Sequence, residues 1–241
     1  MIVYKPLSDI SAISFDLDDT LYDNMPYIYE AERQLATHIE KFYPSASKVT
    51  KIQWKNIRIE TLSEQPALVN DLGEMRSVTL TKGFRLAGMD NELIPHAVSD
   101  CFDHFYHHRS NFVVPKPVRK VLKKLSKKMP IAAITNGNVN LNAIGIEKYF
   151  SCIIHASPTH PMKPDRAMFD YVVDALNIPA KNILHVGDDL QKDVEGALSA
   201  GFQSAWLAVN RPMSLANEQG SLLPHIQLNQ LKELKGIIKK R

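Results

Sequence analysis

Five short, mainly apolar runs constrain the fold of this chain more than any other feature. They are Ala12 to Leu17, "PIAAIT" (130–135), "CIIHA" (152–156), "NILHVGDD" (182–189) and "SAWLAV" (204–209). Runs of this length, with few polar residues and no alternation, read as buried parallel strands. Helical stripes lie between them: Val118, Val121, Leu122 and Leu125; Met168, Phe169, Val172, Val173 and Leu176; Val194, Ala197, Leu198 and Gly201. Strand alternating with helix over short connections predicts an α/β fold with a doubly wound, Rossmann-like parallel sheet.

The rhythm breaks between Tyr22 and Val114. No strand pattern occurs there, only helical ones: "YIYEAERQLATHIEKFY", "KIQWKNIRIETL", "EMRSVTLTKGFRLAGM" and "ELIPHAVSDCFDHFYHHR". So long an insertion is too large for a loop. The expected division is a core from residues 1–21 and 114–241, with an inserted all-helical domain from 22–113. A 44% hydrophobic content over 241 residues is enough for one large core or two smaller ones.

The charge balance narrows the partners. The formal net charge of +3 is spread along the chain, apart from the basic end "KGIIKKR". Without a concentrated basic face, nucleic acid is not an expected partner. Cys101 and Cys152 are the only cysteines and sit in no metal-ligand pattern, so free thiols in a reducing compartment are expected. The start "MIVYKPLSDI" has no long apolar stretch, and no run reaches a membrane span. A cytoplasmic protein is the expectation, and its oligomeric state is not legible.

Open α/β sheets bind ligands outside the carboxyl ends of their strands. Asp16, Asp18 and Asp19 follow the first predicted strand, Thr135 and Asn136 end the second, and Asp188 and Asp189 follow the fourth. Lys163 lies in the loop after the third. Singly, Asp19, Asp23 or Asp189 reads as a cap or turn residue, Asp193 as a helix-face charge and Lys163 as a loop residue. Their shared placement at one rim singles them out. Converging carboxylates need a cation, and hard oxygen ligands favour Mg²⁺. A lysine and a threonine hydroxyl beside it make a place for phosphate.

"DLDDT", "ITNGN", "KP" and "GDDLQKDVEGALSAG", in that order, resemble the four signature motifs of the haloacid dehalogenase-like superfamily. The spacing is similar to members whose helical cap is inserted between the first two motifs. The longer forms "FDLDDTLYDN", "AITNGN", "LHVGDDLQKDV" and "LLPHIQL" resemble a bacterial subgroup of phosphatases. That subgroup acts on 5-amino-6-(5-phospho-D-ribitylamino)uracil in riboflavin biosynthesis.

The resemblance implies that Asp16 is a nucleophile forming an aspartyl phosphate and Asp18 the general acid and base. It implies Mg²⁺ on the carboxylates of Asp16 and Asp188 and the backbone carbonyl of Asp18. Asp16, Leu17, Asp18, Thr135, Asn136 and Lys163 form the implied phosphate-binding set. Asp189, Asp193 and Thr20 are expected to orient these groups rather than bind substrate.

Alternatives stay open. A broad nucleotide or sugar phosphatase, including one for flavin mononucleotide, shares every core residue, and so does a phosphohexomutase. A carbon-attacking dehalogenase would need neither Asp18 nor Mg²⁺. A non-catalytic phosphate-binding module would usually lack one of Asp16, Asp18, Lys163 or Asp188. In the helical insertion, Arg76, Lys82 and Arg85 share a pattern that reads as a solvated face or as reaching an anionic substrate. Tyr27, Tyr29, Phe42, Trp54 and Phe84 are expected mainly in the core. His104, His107 and His108 have a spacing that can bind a transition metal, but with no fourth ligand in the pattern, packing is the expected role.

Overall fold

A computed structural model describes residues 1–238; the last three residues of the basic end lie outside the described residues. The chain divides into two compact units, one of residues 1–24, 113–137 and 141–241, the other of residues 25–112 and 138–140.

The first unit is built on a seven-stranded sheet. Its strands are β1 (Ile2–Val3), β2 (Ala12–Phe15), β3 (Ile131–Thr135), β4 (Cys152–His155), β5 (Ile183–Gly187), β6 (Gln203–Trp206) and β7 (Ile226–Gln227), ordered β1-β7-β6-β5-β2-β3-β4. All pairs are parallel except β1 with β7. The five apolar runs supply β2 to β6; β1 and β7 are two residues each, too short to show a period. Register aligns the carboxyl ends: Phe15 lies opposite Val186 and Ala133, Thr135 opposite His155, and Gly187 opposite Trp206. Residues following these strands therefore emerge at one rim.

Helices α5 (Lys116–Leu125) and α6 (Ala167–Leu176) form where the stripes predict them. Met168, Phe169 and Val172 of α6 are fully buried and pack with Ala12, Ala132, Ile134 and Phe202. Burying each large side chain contributes about 1.5–3 kcal/mol, so Phe169→Ala would remove more of this layer than any other change in α6. Asn177, in the left-handed conformation (φ 52°), stops the helix.

The stripe from Val194 to Gly201 differs from the expected regular helix. Leu190–Glu195 forms a wide π-turn, and only the short α7 (Gly196–Ser199) follows before α8 (Leu234–Ile238) near the end. The N–H groups of Asp193 and Val194 both donate to the carbonyl of Asp189, at 2.9 and 3.2 Å. The widened turn fits the use to which the Asp193 side chain is put below.

The second unit is helical: α1 (Met25–Phe42), α2 (Lys51–Glu64), α3 (Leu72–Leu86) and α4 (Ile94–Arg109). Thr50 and Gln53 form a capping box that starts α2, and Asp71 caps α3 through the N–H of Glu74. Ala31, Leu35 and Ile39 make the buried stripe of α1, packed with Leu80, Phe84, Ala97, Cys101 and Phe105. Tyr29 (67% exposed) and Phe42 (54%) fall off that stripe, so not all the aromatic residues expected in the core are there. Arg76 pairs with Glu32 at 2.8 Å and lies over the Phe105 ring, and Lys82 pairs with Glu64 at 2.6 Å. Arg85 is exposed. Among the described residues, no helix is long and apolar enough to cross a membrane.

Candidate active site

The rim of the sheet gathers charge that a folded interior ordinarily avoids. Asp16 follows β2 and is 7% exposed; Lys163, in the loop after β4, is 3% exposed. The Lys163 Nζ donates to Asp16 Oδ1 at 2.7 Å, to Asp193 Oδ1 at 2.6 Å and to the carbonyl of Ile134 at 2.8 Å. Three acceptors satisfy the three donors of an ammonium group. The loop bearing Lys163 is itself fixed: its N–H donates to Asn136 Oδ1 at 2.8 Å, and Asn136 Nδ2 donates back to its carbonyl at 3.1 Å. The Lys163–Pro164 peptide is cis.

Asp193 is the hub beneath this pair. Its Oδ2 accepts from the N–H of Asp189 at 3.0 Å, and its Oδ1 lies 3.3 Å from His185 Nε2. The other nitrogen of the buried His185 meets Ser14 Oγ at 2.9 Å. Gly187 makes room for this packing, because a Cβ there would stand 2.2 Å from Asp193 Cγ. Glycine is required at that position by space, not by backbone conformation.

Asp188 lies at the end of β5. Thr20 Oγ1 is 3.1 Å from Asp16 Oδ2 and 3.4 Å from Asp188 Oδ1, so it stands between the two carboxylates. Arg211, from the loop after β6, donates to Asp188 Oδ2 at 2.8 Å and to its carbonyl at 2.9 Å, and is held by Glu218. Trp206 Nε1 also donates to that carbonyl, at 2.7 Å. Asp18 accepts from the Tyr22 hydroxyl at 2.7 Å. Gly137 approaches Asp18 so closely that a Cβ would sit 2.7 Å from Asp18 Oδ2. The Gly137 N–H donates to Thr135 Oγ1 at 3.0 Å.

The flanking acids do other work. Asp19 has a left-handed backbone (φ 62°), and its Oδ1 accepts from the N–H of Asn24 at 2.9 Å. Asp189 caps the π-turn through the N–H groups of Gln191 and Lys192 and pairs with the Lys192 ammonium. Leu17 is buried behind Asp16.

Electrostatics separate the three central carboxyls. Burial raises Asp16 well above the usual carboxylate range, with Lys163 opposing and Asp193 and Asp188 reinforcing the rise. Burial, helped by Asp193 and opposed by Arg211, raises Asp188 to about 7. Burial would raise Asp193 too, but Lys163 and His185 outweigh it and hold Asp193 below the usual range. Asp16, Asp188 and Asp193 each offer one oxygen, all within 4.8 Å of one another. Two of these carboxyls resist ionisation, so the buried lysine leaves the cluster short of positive charge. An all-oxygen donor set in that condition fits a hard divalent cation.

Sequence reasoning put Asp16, Asp18, Thr135, Asn136, Lys163 and Asp188 at this rim, and the structure brings them there. It did not anticipate Arg211, Tyr22 or His185. Arg211 sits in a loop without periodicity, and His185 is hidden inside a strand-like run.

The geometry agrees with what the chain resembles. A profile of haloacid dehalogenase-like hydrolases matches residues 10–201. The chain is 34% identical to 5-amino-6-(5-phospho-D-ribitylamino)uracil phosphatase YigB of Escherichia coli (strain K12), over 98% of this chain and 99% of that protein. It is 23% identical to the N-acylneuraminate-9-phosphatase of Mus musculus, over 96% and 95% of the two chains. Among solved structures, a 2-haloacid dehalogenase from Pseudomonas syringae pv. Tomato DC3000 superposes with a TM-score of 0.89 at 28% identity, covering 96% of this chain and 99% of that one. With this match across both units and a lysine-bridged carboxylate cluster at the rim of the sheet, the chain belongs to the haloacid dehalogenase-like hydrolase family.

Proposed function

We propose that the chain is a Mg²⁺-dependent phosphomonoesterase that works through an aspartyl-phosphate intermediate. Its leading substrate is 5-amino-6-(5-phospho-D-ribitylamino)uracil, which makes it a cytoplasmic enzyme of riboflavin biosynthesis. The observation that carries the reading is the buried lysine bridging Asp16 and Asp193, with a second aspartate held two places beyond the first.

In this reading an Asp16 carboxylate oxygen attacks phosphorus in line, and the bond from phosphorus to the ester oxygen breaks. Asp18 gives its proton to the departing oxygen. It then takes a proton from the water that attacks the aspartyl phosphate, releasing inorganic phosphate and restoring Asp16. The Tyr22 hydroxyl orients Asp18 for both steps. Lys163, the Thr135 hydroxyl and the N–H groups of Leu17 and Asn136 hold the phosphoryl oxygens as charge develops. The carboxylates of Asp16 and Asp188 and the carbonyl of Asp18 would hold Mg²⁺. That ion supplies the positive charge that lets an anionic nucleophile meet an anionic phosphate. Asp193 keeps Lys163 aimed, Thr20 spaces Asp16 from Asp188, and Asp189 secures the turn that carries Asp193. We assign the choice of leaving group to the expected helical insertion, residues 22–113.

The name of the Pseudomonas syringae relative raises attack on carbon instead. That chemistry needs no proton donor two residues on and no cation, so the Tyr22–Asp18 pair and the three-carboxylate cluster favour phosphorus. A panel of phosphorylated metabolites, ranked by kcat/KM with Mg²⁺ and again with chelator, tests the reading. It is expected to release phosphate only with the ion and to favour the ribitylamino compound over flavin mononucleotide, pyrimidine nucleotides and sugar phosphates. Equal turnover of all of them would remove the named substrate; halide release from 2-haloacids without phosphate release would remove the phosphatase.

A further inference from the structure

The loop after β6 carries a guanidinium whose every donor is spent within the rim. Arg211 Nε and Nη2 donate to the two carboxylate oxygens of Glu218 at 2.8 and 3.0 Å. Nη1 donates to Asp188 Oδ2 at 2.8 Å and to Asn210 Oδ1 at 3.1 Å, and Nη2 donates again to the Asp188 carbonyl at 2.9 Å. These bonds use all five N–H groups of an arginine, so none is left for a substrate anion. The loop is itself tied down on either side of Arg211. The Val209 N–H donates to the carbonyl of Asp19 at 2.9 Å. Beyond Glu218, Glu195 accepts from the Ser221 hydroxyl at 3.0 Å and the Leu222 N–H at 3.1 Å.

This arrangement divides the Asp188 carboxylate. Its Oδ2 is held by Arg211, while its Oδ1 lies 3.4 Å from the Thr20 hydroxyl, which is also 3.1 Å from Asp16 Oδ2. Oδ1 is therefore the oxygen on the side of Asp16. The carbonyl of the same residue takes both Arg211 and the fully buried Trp206, so carboxylate and backbone are fixed together. Turning the carboxylate to present both oxygens to the cluster would break the bond to Nη1. That restriction separates two hard cations. Mg²⁺ demands near-ideal octahedral geometry at about 2.0–2.1 Å. Ca²⁺ takes about six to eight oxygens at roughly 2.3–2.6 Å and accepts both oxygens of one carboxylate.

We propose that Arg211, braced by Glu218, is a positioning residue that limits Asp188 to one oxygen and so makes the rim select Mg²⁺ over Ca²⁺. The proposal rests on the cation-dependent reading above and adds the residue that decides which ion is taken. A planar guanidinium holds a carboxylate oxygen and a carbonyl at once; the point charge of a lysine does not reproduce that fork. Groups that orient a metal ligand typically change affinity by about 10–100-fold when lost.

Calorimetric titration of the full, substrate-free chain with Mg²⁺ and with Ca²⁺, at about pH 8, tests this without any turnover. Removing a positive charge acts on both divalent ions, so the ratio of their Kd values reads ligand geometry. The parent should prefer Mg²⁺. Arg211→Met and Arg211→Lys should each reduce that preference by about tenfold or more. Arg166→Met removes an exposed guanidinium from α6 and should leave the ratio unchanged. If Arg211→Met does not fold by circular dichroism, Arg211→Lys decides alone. A parent that binds both ions without preferring Mg²⁺, a preference kept in Arg211→Lys, or an equal drop in Arg166→Met would overturn this proposal and leave the phosphatase reading standing. A parent that binds neither ion would overturn both.

Discussion

Asp193→Asn removes one charge from a fully buried ion pair, that of Asp193 with Lys163. The Asp193 and Lys163 side chains are 3% and 1% exposed, so solvent cannot replace the lost partner. Breaking a buried pair by removing one member costs about 3–5 kcal/mol. Asparagine keeps an amide oxygen for Lys163 but can clash in its NH₂ with the N–H of Asp189, so the expected loss is about 2–4 kcal/mol. For a chain of this size that lowers Tm by about 5–15 °C. The carboxyls respond too. Asp193 raises both Asp16 and Asp188, so without its charge the titration of Asp188 falls below about 7. Thermal melts of metal-free protein measure the first effect, and carboxyl ¹³C shifts against pH measure the second. Asp170→Asn is the control, since its pair with Arg166 is exposed on α6 and worth less than about 1 kcal/mol. If Asp193→Asn melts within about 2 °C of that control, the buried lysine bridge does not hold the rim together, and the reasoning fails.

Asp188 predicts a pH dependence for cation binding. Its folded value near 7 means that an ion displaces a proton below that pH. Mg²⁺ affinity should therefore fall as pH drops from 8 to 6, by up to about tenfold per unit below 7; calorimetry in buffers of different ionisation enthalpy counts the protons released. The same shift sets the sign for stability: the folded state keeps the Asp188 proton longer than the unfolded chain does. Metal-free protein should thus lose stability as pH rises from just under 4 through about 7, and added Mg²⁺ should restore it. Asp18→Asn should lower kcat by about 10²–10⁴ while leaving Mg²⁺ affinity unchanged by calorimetry, because its side chain handles the proton and its carbonyl the ion. Gly187→Ala puts a methyl group where Asp193 stands and should cost about 1–3 kcal/mol of stability by denaturant melt, together with most turnover.

What the sequence disclosed depended on whether physics leaves a local mark. β2 to β6 were legible because their residues are mainly apolar, most of them buried in the sheet, and the polar residues in or after β2, β3 and β5 mark the carboxyl rim. Asp16, Thr135, Lys163 and Asp188 could be gathered from that alone, since parallel strands in one sheet present those ends together. Arg211 left no such mark: it reaches Asp188 across 23 residues from an irregular loop. His185 was masked by its apolar neighbours, although a histidine fully buried in a strand must find partners, and Ser14 and Asp193 are those partners. The π-turn at Leu190–Glu195 kept the spacing of an ordinary helix, because one extra residue per turn barely disturbs a short stripe.

The central claim is that Asp16 carries the phosphoryl group. Rapid quenching of a single turnover into borohydride converts an acyl phosphate to the alcohol, and peptide mass spectrometry locates the change. The account predicts homoserine at position 16 in the parent and none in Asp16→Asn, which should fold normally and release no phosphate. Phosphate release with position 16 unreduced, or an Asp16→Asn protein that turns over at the parent's rate, would contradict it.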